Sequence, residues 1–130
     1  MGMELRVLVV MAMVIALTSA ASAASGTATY YKRPYVPSAC YGNQDNGVMI
    51  AGASDAIWNN RAACGRKYSV RCTGAANDSP RPCKSGSGSI TVKIVDYCAN
   101  CQGDINLSQD AFGKIGNLTV GKIKVQYNQV

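Results

Sequence analysis

Hydrophobic and polar residues alternate with a two-residue period at several points along the chain, the period of a strand with one buried and one wet face. The clearest case is residues 89–95, where Ile90, Val92 and Ile94 share one face and Thr91 and Lys93 the other. Residues 122–127 repeat the pattern. There Ile123, Val125 and Tyr127 oppose Lys122, Lys124 and Gln126, so the wet face is basic. Residues 26–31 open with Thr and Tyr in short alternation, 67–72 form a shorter strand, and 48–51 a weaker one. Two stretches carry helix-start signals instead. Ser54 can cap a turn holding Ala56, Ile57 and Trp58, and Ser108 can cap a helix over residues 109–115 with Asp110 in its first turn. Neither is long enough to stand alone. The Gly- and Ser-rich segment 85–89 reads as a solvated hairpin loop. The pattern thus predicts an all-β fold, mainly β with two short helices, in one small barrel or sandwich.

The first residues break this picture. Arg6 precedes an apolar run over residues 7–17, and the small residues that follow carry an Ala21-Ser22-Ala23 cleavage pattern. This reads as a secretory signal peptide over 1–23, leaving a single domain at 24–130. The run is shorter than the ~20 residues needed to span a bilayer. An uncleaved anchor is the alternative, but stable membrane insertion is not expected. Cleavage would remove Glu4 and Arg6, one charge of each sign, so the net charge of +6 stays with the domain.

Composition then narrows the chemistry. The chain has no histidine, which excludes His-ligated metals, Cys-His nucleophile pairs and Ser-His-Asp triads. Glu4 is the only glutamate, so acid–base work in the domain falls to aspartates. Six cysteines, Cys40, Cys64, Cys72, Cys83, Cys98 and Cys101, imply three disulfides in an oxidising compartment, with fifteen pairings open. Cys98-Ala-Asn-Cys101 lacks the second thiolate pair of a zinc site and the βαβ setting of a redox site. No metal and no cofactor are expected.

Two residue sets can meet a partner. Tyr30, Tyr31, Tyr35, Tyr41 and Trp58 supply flat rings that stack on sugars or fill protein hot spots, although core packing explains Trp58 equally well. Arg61, Arg66, Lys67 and Arg71 follow one another with no intervening acid. They suit acidic wall pectin, a phospholipid surface or an acidic receptor patch; no nucleic-acid motif accompanies them. Asn77, Asn106 and Asn117 head glycosylation sequons, the first disfavoured by Pro80.

The ordered motifs Ser38-Ala39-Cys40-Tyr41-Gly42, Ala63-Cys64-Gly65, Val70-Arg71-Cys72, Cys83, Val92-Lys93-Ile94-Val95-Asp96-Tyr97-Cys98 and Asn106-Leu107-Ser108-Gln109-Asp110-Ala111-Phe112 span nearly all of 26–127. Together they resemble the plant natriuretic peptide group of the expansin-like and barwin-like proteins. The resemblance implies a six-stranded double-psi β-barrel stapled by three disulfides, Cys40–Cys64, Cys72–Cys83 and Cys98–Cys101. It also implies a secreted, extracellular (apoplastic) signalling protein, monomeric and non-enzymatic. Such a protein acts on water and ion balance through a cell-surface receptor and cyclic GMP. The segment 35–66 would be its active region, with Tyr41, Trp58, Arg61 and Arg66 as contacts. The alternative is a wall-polysaccharide-binding or defence protein of expansin or barwin type.

Inverting glycosidases need two carboxyls about 6.5–9.5 Å apart. In the related endoglucanases and expansins one Asp lies on the strand before the late loop and the second in a His-Phe-Asp-Leu motif. Asp96 matches the first, but Asn106 stands where the second belongs and Asp104 at the histidine position. An amide cannot transfer the proton, so no catalytic pair is expected. Thr29 and Tyr30 resemble the Thr-x-Tyr opening of expansins only loosely and read as ordinary strand alternation.

Overall fold

The computed structural model describes residues 23–130, and all but the last residue of the leader reading lies outside it. Six strands form a closed ring: β1 (Ala23–Tyr31), β2 (Ile50–Ala53), β3 (Lys67–Ala75), β4 (Ser89–Tyr97), β5 (Ile105–Ser108) and β6 (Ile123–Gln129). Around the barrel the order is β1-β5-β2-β4-β3-β6. The β1–β5 and β2–β4 contacts are parallel and the other four antiparallel. This is the double-psi β-barrel. Helices α1 (Asp55–Trp58) and α2 (Gln109–Ile115) and a 3₁₀ turn at Leu118–Val120 complete the fold.

The alternation seen in the sequence fills the interior. Val70, Val92, Ile94, Ile105, Leu107, Ile123 and Val125 all point inward with at most 1 % of their surface exposed. Helix α2 buries Phe112 and Ile115 against them. Each such side chain contributes about 1.5–3 kcal/mol by leaving water. Ser108 fixes the start of α2 as its pattern predicts, its hydroxyl accepting from the Ala111 amide at 3.0 Å.

Other elements differ from the sequence pattern. Ser54 precedes α1 but makes no cap; its hydroxyl donates to the Asp104 carbonyl at 2.6 Å and ties α1 to the loop before β5. Strand β2 begins two residues later than the 48–51 reading, because Ile50–Ala53 is buried throughout and shows no alternation. Strand β5 has no signal of its own: four residues long, it exists because β1 and β2 pair with both its edges. The three disulfides join Cys40–Cys64, Cys72–Cys83 and Cys98–Cys101. The first closes the long β1–β3 excursion against the barrel, where the Cys40 amide also donates to the Val95 carbonyl at 2.9 Å.

Candidate functional site

Strand register sets Thr29 opposite Asn106, Asn106 opposite Gly52, and Gly52 opposite Asp96. Residues opposed across a ladder share a face, so these four make one row across β1, β5, β2 and β4 on the outside of the barrel. A Cβ on Gly52 would lie 3.7 Å from the Asp96 Cβ, which places both on that face. Gly52 therefore leaves a side-chain-free gap between Asn106 and Asp96. The two polar residues stand two strand spacings apart, about 10 Å between backbones.

Each member has a defined partner. The Thr29 hydroxyl donates to the Asn106 Oδ1 at 2.9 Å and holds the amide still. Asp96 accepts two backbone N–H groups on one oxygen, from Ala39 at 2.9 Å and Tyr97 at 2.9 Å. It thereby clamps the 38–41 turn onto β4. Among the described residues its second oxygen makes no protein hydrogen bond. Asp104 stands off the row. Its Oδ2 accepts from the Thr27 amide at 2.8 Å, and its own amide donates to the Thr27 carbonyl at 2.9 Å. Asp104 is occupied as a clamp on β1.

Because β1 runs opposite to β4, the residues following Thr29 and Asp96 leave the row in opposite directions. On one side stands Tyr31, edge-on to Tyr35 with ring centroids 5.3 Å apart. Among the described residues its hydroxyl is buried without a hydrogen-bond partner. Burial, and then the charge of Asp96, push it well above the usual tyrosine range. On the other side Tyr97 stacks on Trp58, with centroids 4.9 Å apart and planes 25° apart. The Tyr97 hydroxyl donates to Asp55, and this bond is the main reason its pKa is raised. The Arg61 guanidinium lies 5.9 Å from the Trp58 ring and donates to the Ala39 carbonyl at 3.0 Å. Asn59, Asn60 and Arg61 in succession have φ of 46°, 51° and 74°, a left-handed run that carries Arg61 back over Trp58.

Trp58 and Arg61 are thus brought together beside the row, while Tyr41 and Arg66 are not. Tyr41 packs beneath Lys93, whose ammonium is 4.5 Å from its ring. Arg66 lines a separate cavity of about 530 Å³ with Asp55, Ile57, Tyr68 and Tyr127. The sequence reading named Tyr31 only within a general set of flat rings, not beside Thr29, and it missed Tyr97. It paired Thr29 with Tyr30, yet Tyr30 turns inward against Phe112, with ring centroids 4.9 Å apart. The two-residue strand period was the available signal, since it puts Tyr31 on the face of Thr29. Beyond Tyr31, Arg33 and Tyr35 both bind Asp110, Arg33 Nη2 at 3.1 Å and the Tyr35 hydroxyl at 2.6 Å. First Arg33 and then Tyr35 hold the Asp110 carboxyl below its ordinary range.

Residues 50–127 match the family model for lytic transglycolase. An EG45-like domain containing protein of Citrus jambhiri is 55 % identical over 132 residues, covering 99 % of each chain. This chain is an EG45-like domain protein of the expansin-like superfamily. Its Arabidopsis thaliana relative, EG45-like domain containing protein 2, is 43 % identical and covers 95 % of this chain and 92 % of its own. Expansin-A20 of rice is 33 % identical across 81 % of this chain but only 47 % of the expansin, so the EG45-like chain spans about half of such a protein. A Clavibacter michiganensis expansin shares the fold, with a TM-score of 0.64 at 24 % identity over 83 % of this chain and 50 % of that one. A mutant of that expansin has been solved in complex with cellohexaose.

Proposed function

We propose that this EG45-like protein is an exported, extracellular binder that holds a neutral wall polysaccharide along the Thr29–Asn106–Gly52–Asp96 row without cutting it. The row itself carries the reading. It offers polar groups and a side-chain-free position for an extended chain, with the Tyr31–Tyr35 rings on the face of Thr29 and the Tyr97–Trp58 stack at the end of β4 just beyond Asp96, off that face. Rings of this kind stack on sugar faces. The cellohexaose complex of the fold-related expansin supports the same ligand class. Hydrolysis by inversion needs a second carboxyl opposite Asp96. Asn106 fills that position with an amide fixed by Thr29, and Asp104 is engaged elsewhere.

The test is depletion of purified protein by cellulose and xylan, with reducing sugar measured in the same tubes. Binding without sugar release is expected. No depletion by either glycan removes the binding reading, and sugar release removes the non-enzymatic one.

A second reading is signalling of the natriuretic type, through a cell-surface receptor and cyclic GMP. It is favoured by the exposed unit closed by Cys40–Cys64, on which Arg61 lies over Trp58. In this reading Trp58 and Arg61 meet the receptor, and Tyr41 and Arg66 play supporting parts. Protoplast swelling and a cyclic GMP rise on adding the protein would be the expected responses, and their absence overturns it.

A further inference from the structure

The row uses four of the six strands, β1, β5, β2 and β4. The remaining two, β3 and β6, are neighbours and form the opposite wall of the barrel. Lys67, Arg71 and Lys124 stand exposed on that wall. Arg71 is opposite Gln126, and its Nη2 donates to the Gln126 Oε1 at 2.9 Å, laying the guanidinium over β6. Lys124 lies two residues from Gln126 along β6, a diagonal of about 7–8 Å from Arg71. Lys67 is four residues back along β3, about 13 Å away.

No aspartate stands on either strand. Asp45, Asp78 and Asp104 are on loops, Asp55 and Asp110 on α1 and α2, and Asp96 at the end of β4. Among the described residues Arg33–Asp110 is the only ion pair, so these three cations lack a carboxylate partner. Clustered like charges without partners cost stability through mutual repulsion, and nothing in the packing of the barrel requires them.

We infer that the β3–β6 wall is a second binding surface, for an acidic polysaccharide of the polyuronate class. Charge complementarity argues for a polyanion. The surroundings argue for a sugar polymer over a membrane, because the spaces between the cations hold Ser69, Gln126 and Asn128, which pair with hydroxyls. Val130, the only large hydrophobic side chain exposed among the described residues, follows β6 with its amide on the Lys67 carbonyl, and a single valine is too small an apolar wedge to hold the wall in lipid. Since the two surfaces occupy different strands, one molecule can hold an acidic and a neutral chain together.

Purified protein is titrated with polygalacturonate, with cellohexaose, and with phosphatidylserine vesicles, in ~50 mM and ~200 mM salt. The variants are the triple Lys67→Gln/Arg71→Gln/Lys124→Gln and the charge-keeping Lys67→Arg/Lys124→Arg. All five changes are at exposed positions, and circular dichroism checks the fold. The triple variant is expected to lose about tenfold or more in polygalacturonate affinity at low salt. The charge-keeping variant should keep its affinity, and wild-type binding should weaken as salt rises. Equal polygalacturonate binding by wild type and triple variant overturns the inference, as does tighter wild-type binding to the vesicles. Loss of cellohexaose binding in the triple variant would also overturn it, by showing one shared surface. Failure of wild-type protein to bind cellohexaose while it binds polygalacturonate counts against the row alone.

Discussion

Asp96 offers the sharpest separation of a structural carboxylate from a catalytic one. A single oxygen, Oδ1, receives both the Ala39 and the Tyr97 amide, each at 2.9 Å. Asparagine presents an oxygen in the same place and can keep both bonds, losing only the assistance of the charge. Alanine loses both. The Ala39 contact is open to solvent, which holds each bond near ~1 kcal/mol, so Asp96→Ala should cost about 2 kcal/mol. Asp96→Asn should cost about 0.5 kcal/mol. For a domain of this size the alanine variant should melt about 10 °C lower and the asparagine variant only a few degrees lower. Urea unfolding followed by tryptophan fluorescence reads both, since Trp58 stacks on the neighbouring Tyr97. An unchanged slope would show that the native and unfolded states are comparable. If Asp96→Asn falls as far as Asp96→Ala, the shared-oxygen clamp is wrong and the charge itself is what holds the 38–41 turn.

Trp58→Ala should weaken cellulose binding about tenfold while costing only about 1–2 kcal/mol of stability, because the ring packs on Tyr97 and the core with just one part buried; equilibrium depletion isotherms and urea unfolding measure the two. Phe112→Ala, which empties a fully buried site beneath Tyr30, should destabilise by about 3–5 kcal/mol in the same urea assay. Arg33 and Tyr35 lower the Asp110 pKa, so their contribution is complete above the ordinary carboxylate range and is lost as pH falls through the lowered value. A melting-temperature scan from neutral pH down to about pH 2 should therefore show a steeper acid decline in wild type than in Asp110→Asn. Tyr97, raised chiefly by its bond to Asp55, should ionise later than an ordinary phenol, and Asp55→Asn should advance it in an ultraviolet alkaline titration.

Much of this was legible along the chain because it depends on near neighbours. Two-residue alternation marked β4 and β6, whose pattern survives because one face is wet. The Ser108 cap of α2 was visible for the same reason: donor and acceptor lie three residues apart. Residue identity alone disclosed that position 106 holds an amide. The cysteine count announced three disulfides, and the family resemblance supplied pairings that match those formed.

What remained hidden depends on partners distant in sequence. Strand β5 has no local pattern to find, because its hydrogen bonds are supplied by β1 and β2 from 77 and roughly 55 residues away. The roles of Thr29 and Asp104 were decided by ladder register, which turned one into the support of Asn106 and the other into a clamp on Thr27. The basic residues show the point most plainly. Arg61, Arg66, Lys67 and Arg71 form one cluster in sequence, yet the barrel sends Arg61 to Trp58, Arg66 to a cavity, and Lys67 and Arg71 to the far wall. There they meet Lys124, more than fifty residues further on. Composition fixed how much charge the chain carries; the closure of six strands into a ring determined which charges share a surface, because only register brings residues of different strands to within reach of one ligand.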